Sequence, residues 1–249
     1  MISIVHGLKE YHLEPKIGVR YTYRFETVHD DFANEKKAIS TSYTREIWIM
    51  PIARQDTLDV YQIFLAKMTI KSNVAVADEY LIKQLAYVFD EIEVAVDFSG
   101  KIVSIYNMGA LRFRWRLKRV KLEQEYVGVT VQAYFRTIDV LLDDEQKLIQ
   151  FLSSYKMFGI YFHGLFGNYL LWEMPLKRAI RLDDFDRELV NEKIFPEKKE
   201  AIKYKIQGSG AGLVHYGGEL IYSNFQLKEA LIECGNHSQS FKYGALFLG

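Results

Sequence analysis

Residues 91–107, EIEVAVDFSGKIVSIYN, contain the clearest structural signal in the chain: two runs of alternating apolar residues separated by Ser99-Gly100. A two-residue turn at that dipeptide would set three facing pairs: Phe98 with Lys101, Val96 with Val103, and Val94 with Ile105. The turn dipeptide and the pairing of β-branched residues are independent signals, and together they predict an antiparallel hairpin.

The turn of this hairpin also has a functional interpretation. Asp97, Ser99 and Gly100 could belong to a loop that binds a cation or a phosphate. Neither the D-x-D-x-D ladder of a calcium loop nor the GxxxxGK[ST] pattern of a phosphate loop accompanies them. A structural turn is therefore favoured.

Three runs before the hairpin predict further strands, at residues 17–28, 42–50 and 58–70. In the first run, alternate residues form one apolar side: Val19, Tyr21, Tyr23 and Phe25. Pro51 follows the second run. Because proline cannot donate to a central ladder, it indicates an edge, a bulge or the end of that strand.

Residues 74–89 change to the period of a helix. The apolar stripe of this helix comprises Ala77, Leu81, Leu85, Val88 and Phe89. Asn73 lies just before the stripe, and asparagine readily accepts from the free N–H groups at a helix N-terminus. We therefore expect Asn73 to be the N-cap.

The segment at 110–121, ALRFRWRLKRVK, alternates apolar and basic residues from Leu111 to Lys118 without a break. As a strand it would bury one apolar side and expose four cations. As a helix packed from two sides it would have two opposed apolar faces, one of Leu111, Trp115, Leu122 and Tyr126 and the other of Phe113, Leu117 and Val120. The period favours a strand, whereas good helix formers and the lack of a turn residue before Tyr126 favour a helix. Both alternatives stay open, with the balance toward a helix.

The basic residues of this segment are its candidate binding residues: Arg112, Arg114, Arg116 and Arg119. A nucleic-acid surface would need aromatic and basic side chains on one face, so that bases stack while phosphates are neutralised. Strict alternation opposes that geometry, so nucleic acid is not the predicted partner. An acidic protein surface is the functional alternative. A solvated or internally paired face is favoured over both, since acids lie nearby at Glu123, Glu125, Asp143, Asp144 and Glu145.

Two further helices are predicted at residues 129–142 and 144–155. Their inward positions are Val131, Phe135, Ile138 and Leu142 in the first, and Leu148, Phe151, Leu152 and Tyr155 in the second. Either Asp143 or Asp144 would cap the second helix.

A run without Asp, Glu, Lys or Arg follows at 157–172, MFGIYFHGLFGNYLLW. A membrane-spanning helix needs about 20 apolar residues. This shorter run contains His163, Asn168 and three glycines. We therefore predict a buried turn or strand pair and no membrane insertion.

Residues 177–200 are densely charged and contain Pro196, which predicts a surface connection or a domain boundary. Strand character returns at residues 201–207, where isoleucine and tyrosine alternate with lysine, and a closing strand is predicted at 241–249.

The stretch between those two strands contains a second hairpin candidate. Residues 213–222 would turn at Gly217-Gly218 and pair Val214 with Ile221. Residues 223–234 fit either a helix that begins with a capping box or a further strand of the sheet.

The composition weakens several functional classes. Lys+Arg and Asp+Glu both number 32 in 249 residues, so the net charge is zero and no global field attracts nucleic acid or an anionic membrane. Neutrality also makes oligomer formation easier. The single cysteine, Cys234, excludes an internal disulfide. The start, MISIVHGLKEYHL, lacks the features of a secretory signal, so we predict a cytoplasmic protein.

No complete catalytic, metal or cofactor motif is present in the sequence. Cys234-x-x-His237 is half of a zinc site without a second pair, so neither a metal nor another cofactor is predicted. The glycine-rich stretch 207–212, QGSGAG, precedes another predicted strand and not the helix that a dinucleotide site requires. HDD at 29–31 could supply a base and carboxylates, as could any polar loop.

The sequence thus predicts an α+β fold: a large, mainly antiparallel, twisted or curled β-sheet with several helices packed against it. We expect one domain over residues 1–249. An alternative boundary lies within 177–200, with residues 201–249 adding further strands.

Function is predicted only in outline. The leading hypothesis is a non-catalytic binding or structural protein within a larger assembly, acting through protein–protein contacts with an acidic partner or by sheet-edge pairing. The alternative is a carrier of a small apolar ligand, held between an aromatic-lined sheet and the helices at 129–155. An enzyme without a recognisable motif comes third. All of this assumes that aromatic and branched side chains hold the layers together while ionisable groups lie dispersed over the outside.

Overall fold

The computed structural model describes residues 8–11, 14–33, 38–76, 78–170, 173–198, 201–224 and 226–249. These residues form four α-helices and thirteen strands, joined by turns and short 3-10 segments. In chain order the elements are β1 (Leu8–Tyr11), β2 (Tyr21–Asp31), β3 (Ile39–Gln55), β4 (Leu58–Ser72), α1 (Glu79–Ala86), β5 (Glu91–Val96), β6 (Ile102–Ile105), α2 (Met108–Glu125), α3 (Val129–Asp143), α4 (Glu145–Leu152), β7 (Gly167–Leu170), β8 (Leu176–Leu182), β9 (Glu188–Lys198), β10 (Ile202–Ser209), β11 (His215–Ser223), β12 (Gln226–Gly235) and β13 (Gln239–Phe247).

Eleven of these strands form one antiparallel sheet in the order β6-β5-β4-β3-β2-β13-β12-β11-β10-β9-β8. Two meanders of consecutive strands make up the sheet, and they are joined where β13 pairs with β2. β1 and β7 form a separate two-stranded ladder. The predicted α+β fold, with a large antiparallel sheet and several helices, is confirmed.

One face of the sheet is apolar and buried because side chains alternate along each strand. In β2, Tyr21, Tyr23 and Phe25 are buried, while Arg24 and Glu26 of the other parity are exposed. The neighbouring strands β3 and β4 continue this inner face with Ile47, Ile49, Tyr61 and Ile63.

The charge-free run 157–172 covers one end of the inner face. Three of its rings pack on rings of the sheet: Phe158 on Phe25 with centroids 5.8 Å apart, Tyr161 on Tyr23 at 5.2 Å, and Phe162 on Tyr61 at 5.4 Å. The run makes buried turns and then enters β7, which confirms the buried turn, and residues 171–172 lie outside the described part of the chain. Among the described residues, no helix is both long and apolar enough to cross a membrane.

The predicted hairpin forms as β5 and β6, but with a different turn. Val94 pairs with Ile105, as predicted. Val96, however, pairs with Ile102 and not with Val103. The register shifts because the connection is longer than the two residues that the Ser-Gly dipeptide suggested.

Asp97 holds this longer turn together. Its Oδ1 accepts from the backbone N–H groups of Ser99 at 2.9 Å and of Lys101 at 3.1 Å, and from the Ser99 hydroxyl at 2.6 Å. Gly100 has a φ of +84°, in the left-handed region that favours glycine. The carboxylate is therefore used inside the turn, as a structural turn requires.

The basic segment forms α2, a helix packed from one side. The first predicted apolar face is buried and contains Leu111, Trp115 and Leu122. The second face is exposed, with Phe113 at 63%, Leu117 at 56% and Val120 at 59%. The prediction of packing from two sides is therefore wrong. α3 lies against the first face, where the rings of Trp115 and Phe135 are 5.6 Å apart.

The next two helices form, although α4 ends at Leu152, before the predicted end at Tyr155. All four inward residues of α3 are buried, as are Leu148 and Leu152 of α4. Asp144 caps α4, because its carboxylate accepts from the backbone N–H of Gln146 at 3.0 Å and of Lys147 at 3.2 Å. This carboxylate satisfies N–H groups that have no partner within the helix.

α1 is shorter than predicted and begins at Glu79. Asn73 is not its N-cap, so that prediction is wrong. The Asn73 side chain instead donates to the carbonyl of Ala38 at 2.9 Å and accepts from the N–H of Ser40 at 3.0 Å, which ties the start of β3 to the end of β4. Ala77, part of the predicted stripe, lies outside the described residues.

The charged segment 177–200 was predicted as a surface connection, but its described residues form β8 and β9. Pro196 fits in β9 because β8 pairs with that strand only as far as Ile194. On the other side of β9, Pro196 lies opposite Tyr204 of β10, so the proline is at an unpaired position only toward β8. The division into domains stays a prediction, although one sheet continues across this segment.

The hairpin predicted around Gly217-Gly218 is wrong. Both glycines lie within β11, which pairs with β10 on one side and β12 on the other. Here glycine permits close approach of a strand, since a Cβ on Gly218 would overlap the carbonyl oxygen of Leu231. Of the two alternatives for the stretch that follows, the strand forms, as β12, and the two flanking strands form as β10 and β13.

Gly100→Ala is expected to destabilise the protein, whereas Gly109→Ala is not. A Cβ on Gly100 would lie 2.7 Å from a ring carbon of the buried Phe166, on a backbone with positive φ, so we expect to lose about 1–3 kcal/mol of unfolding free energy. Gly109 lies in α2 with open space around it, and alanine there should gain up to about 1 kcal/mol. Urea unfolding measures both variants, and equal stabilities would contradict this role of Gly100.

Candidate functional site

A cavity of about 510 Å³ lies between the helices and the inner face of the sheet, and it is partly open to solvent. The helical wall comprises Ile82, Leu85, Ala86, Phe89, Tyr134, Thr137, Ile138, Leu141 and Phe151. The sheet wall comprises Thr27, His29, Tyr43, Arg45, Leu65, Met68 and Phe241. The connecting turns add Lys156, Met157, Phe158 and Asp184.

The helical wall consists largely of residues beside the buried stripes, together with Ile138 of the α3 stripe itself. On α1, Leu81 is fully buried in the core while its neighbours Ile82 and Leu85 line the cavity. The rings of Phe89 and Phe151, 5.7 Å apart, join the 3-10 turn after α1 to α4. The buried stripes thus pack the helices on the core, while other apolar side chains of the same helices face the cavity.

Arg45 is a buried charged residue of the cavity wall, with 7% of its surface exposed. It occupies an inward position of β3. Its guanidinium donates to the Thr27 hydroxyl at 3.3 Å, to the Met157 sulfur at 2.9 Å and to the carbonyl of Lys156. All three acceptors are uncharged, and Nε has no hydrogen-bond partner among the residues that the structure describes.

Burial lowers the pKa of Arg45 to about 10, and the Coulomb attraction of Asp184 partly opposes that shift. Burial removes water from the guanidinium and so disfavours its charged form. The lowered pKa therefore indicates that keeping this charge in the core destabilises the folded protein. Neutral pH is still well below the lowered pKa, and the guanidinium therefore keeps its charge there. The apolar wall thus contains a cation to which no carboxylate of the described residues is bonded.

Asp184 lies at the same end of the cavity and is bonded to other groups. Its Oδ1 accepts from Lys156 Nζ at 2.8 Å, and its Oδ2 accepts from the Tyr243 hydroxyl at 2.9 Å. Burial first, and the Asp184 carboxylate next, raise the pKa of Tyr243, so its hydroxyl stays a donor. The ring of His29 stacks on Phe241 with centroids 4.3 Å apart.

These groups, Arg45, Lys156, Asp184 and His29, form the polar end of the cavity. The charged side chains of the polar end are two cations, Arg45 and Lys156, and one carboxylate, Asp184. One positive charge is therefore uncompensated among them, and it belongs to the more deeply buried cation, Arg45.

A second group of ionisable residues meets in the core beneath β8, β9 and β11. Glu192 is 1% exposed, and its carboxylate accepts from the Tyr155 hydroxyl at 2.8 Å, from the Tyr216 hydroxyl and from Arg178 Nε. Arg178 also donates to the Tyr155 oxygen at 2.8 Å and to the carbonyl of His163. The expectation that ionisable groups lie dispersed over the outside is therefore wrong here.

This Glu192 network is internally satisfied. Both carboxylate oxygens and all three guanidinium nitrogens have partners within it or on the adjacent backbone. A buried pair of this kind is tolerated because each charge is compensated by the other and by hydroxyl groups. The network joins the strands to the turn that carries Tyr155, and it offers no free acid or base.

His163 lies beside the network and is neutral. Its Nδ1 accepts from the N–H of Leu165 at 2.9 Å, so the proton is on Nε2, which lies 2.5 Å from the Tyr222 oxygen. Burial, and then the positive charge of Arg178, place the pKa of His163 well below its ordinary value. With both nitrogens bonded, His163 serves packing.

The four candidate arginines of α2 are separated in the structure. Their partners are the Leu142 carbonyl for Arg112 at 2.7 Å, Asp90 and the Glu91 carbonyl for Arg114, and Glu123 at 2.9 Å and Asp139 at 2.5 Å for Arg119. Arg116 is exposed and has no ion-pair partner within the described ranges. Three of the four thus hold α2 to its neighbours, and their role as binding residues stays a prediction.

The remaining candidate motifs do not form sites of their own. Cys234 is buried, and burial raises the pKa of its thiol to about 12, so it is not a reactive thiolate. In the part of the chain with described positions, no three His, Cys, Asp or Glu side chains meet as a metal site. The glycine-rich stretch 207–212 leads from β10 toward β11, as predicted. Of the HDD segment, His29 lines the cavity.

Sequence reasoning missed the polar end. Arg45 shares its parity with Ile47 and Ile49, and a charged residue in the inward register of an alternating strand was the available signal. Lys156 and Asp184 come from turns that are far apart in sequence, so no local pattern could bring them together.

No protein-family model matches the chain, and no curated protein matches it in sequence. Among solved structures, the chain is similar to lipovitellin, in a structure concerned with lipid–protein interactions in that protein. The TM-score is 0.44 and the identity 9%, over 95% of this chain and 26% of the lipovitellin chain. The chain thus spans about a quarter of that chain's length, and a similarity this low leaves function to be argued from the cavity itself.

Glu192→Gln is expected to destabilise the protein strongly. Arg178 would keep a largely buried charge without its carboxylate, so we expect to lose about 3–5 kcal/mol of unfolding free energy. Arg178→Met combined with Glu192→Leu removes both charges and should cost less than Glu192→Gln alone. Glu219→Gln breaks an exposed pair with Lys203 and is the matched control, with little expected effect. Urea unfolding measures the stability of each variant. A Glu192→Gln protein as stable as the Glu219→Gln control would contradict this role of the network.

Proposed function

We propose that the protein binds and carries a small apolar or amphipathic ligand in the cavity beneath α1, α3 and α4. The observation that supports this is the combination of a volume of about 510 Å³, mostly apolar walls and a few polar groups that include Arg45, Lys156 and Asp184. Small-molecule sites have volumes of about 300–1,000 Å³ and are mostly apolar, with a few polar groups that fix orientation. The cavity matches each of these features.

The walls suit an alkyl chain or a flat ring system. Leu85, Ile138 and Leu141 line the helical side, while Leu65 and Met68 line the sheet side. Each ligand CH₂ group that leaves water for such a surface contributes about 0.8 kcal/mol. The methionine adapts to ligand shape because its side chain is unbranched and flexible. The open side of the cavity gives a ligand access without unfolding of the sheet.

The neutral fluorescent compound N-phenyl-1-naphthylamine is expected to bind in this cavity. Ala86→Phe places a ring in the cavity and should weaken binding at least about tenfold, equivalent to about 1.4 kcal/mol. Ala110→Phe adds the same ring at an exposed position of α2 and should leave the affinity unchanged. Fluorescence titration gives the dissociation constant of each variant.

Circular dichroism and urea unfolding first establish that both variants are folded. Unchanged affinity in a folded Ala86→Phe protein would show that the probe binds elsewhere. Failure of the unaltered protein to bind any neutral apolar probe would remove the proposal.

A protein-binding surface on α2 is the second candidate, and one observation favours it. Phe113, Leu117 and Val120 form an exposed apolar stripe, and the exposed Arg116 lies beside it on the helix. Exposed apolar side chains grouped on one helix commonly mark an interaction site, and a flanking cation suits an acidic partner. The sequence prediction of an acidic protein partner belongs to this surface.

Sheet-edge pairing has less support as a route to a partner. At the β6 edge, the Glu145 carboxylate accepts from the N–H of Ile105 at 2.7 Å, so that donor is already used. At the β8 edge, Lys177 and Arg181 are exposed. Charged residues on an edge strand discourage pairing with another strand.

If α2 is a contact surface, Phe113→Ser combined with Leu117→Ser should abolish capture of its partner. Val214→Ser combined with Leu231→Ser is the matched control, because these apolar residues are exposed on another part of the molecule. Quantitative mass spectrometry of proteins captured by each variant is the measurement. We expect the partner to be lost only with the α2 variant, and the same captured proteins for both variants would contradict this surface.

A further inference from the structure

We infer that the ligand of the cavity is an amphiphile with one anionic head group, a carboxylate or a phosphate, placed against Arg45. This inference rests on the proposed function and adds the chemical class of the ligand. It comes from the contrast between an apolar cavity and the uncompensated cation in its wall.

In the described part of the chain, Arg45 has no bonded counter-charge. Its three acceptors are a hydroxyl, a thioether and a backbone carbonyl. The nearby Asp184 carboxylate is bonded to Lys156 Nζ at 2.8 Å and to the Tyr243 hydroxyl at 2.9 Å. Buried charges in proteins are normally paired, because an unpaired one loses its hydration without compensation. An anion brought by the ligand would supply the missing partner.

The guanidinium has donors to offer such an anion. Within the described residues Nε has no partner, and Nη1 donates to the sulfur of Met157 at 2.9 Å. A thioether is a weak acceptor on a flexible side chain, so an anionic oxygen can replace it. The planar guanidinium then presents pairs of N–H groups that match two oxygens of a carboxylate or a phosphate.

The rest of the cavity suits the apolar tail of the same ligand. Leu85, Ile138 and Leu141 line the helical side, so a head group at Arg45 leaves the tail between helices and sheet. A cationic head group would meet the like charges of Arg45 and Lys156. A neutral head group would leave the buried charge uncompensated. An anionic amphiphile is the class of ligand that matches both the apolar wall and the positive charge of Arg45.

Displacement of bound N-phenyl-1-naphthylamine tests the inference on the unaltered protein. Four competitors share a twelve-carbon chain and differ in head group: laurate, dodecyl phosphate, dodecanol and dodecylamine, all at neutral pH and below micelle formation. We expect at least one anion to displace the probe at about tenfold lower concentration than the alcohol, because hydrogen bonds to charged groups are the stronger ones, and the amine to be weakest. The better anion identifies the head group as carboxylate or phosphate.

The possible failures are distinguishable. If dodecanol displaces the probe as well as both anions do, the inference is overturned while the proposed function stands. If the probe does not bind at all, both are overturned.

Arg45→Gln tests the residue itself. The anions should lose their tenfold advantage and bind within about twofold of the alcohol, while the alcohol keeps its affinity, since only the charge pairing is removed. Arg24→Gln, at an exposed position of opposite parity on β2, is the matched control and should retain the advantage. An advantage that persists in a folded Arg45→Gln protein would overturn the role of Arg45. If that variant does not fold, the competitor series on the unaltered protein still decides the inference.

Discussion

The whole structure depends on covering one face of an eleven-stranded antiparallel sheet. Alternation turns an apolar side of every strand inward, and this layer must be removed from water along its full length. Along β2, Tyr23 and Phe25 lie under the charge-free turns, whose rings pack on them. Farther along the same strand, Thr27 and His29 lie under the helices and line the cavity. The inner face thus changes from aromatic to polar where its cover changes from a close-packed segment to helices that leave space.

Arg178 and Arg45 differ in how their charges are compensated. Arg178 is paired with Glu192 and bonded to Tyr155, so its charge is compensated within the protein. Arg45 is more deeply buried, yet its acceptors are uncharged and the Asp184 carboxylate is bonded to Lys156. Burial removes water from both guanidinium groups. Among the described residues, only Arg178 has a bonded carboxylate that compensates for this loss. Stability alone explains the Glu192 network, whereas the charge of Arg45 is the one that the proposed anionic ligand would compensate.

Much of the fold could be predicted from sequence because the side-chain period is a local property. It identified the stripe of α3 and most of the strands, and the residue types at Asp144 indicated a cap that does form. The period failed to predict the structure where contacts between residues distant in sequence determine it. Gly217-Gly218 suggested a turn, but glycine there makes room for a neighbouring strand. The cavity depends on groups brought together by topology, and only Arg45 showed a local anomaly, a charge in an inward register.

The most direct test of a ligand cavity is methyl-selective NMR of the protein with laurate added. Intermolecular contacts and the largest shift changes should appear at methyl groups of Ile82, Leu85 and Leu141, which line the cavity. Changes confined to Leu117 and Val120, on the exposed side of α2, would place the binding surface outside the cavity and contradict the carrier function.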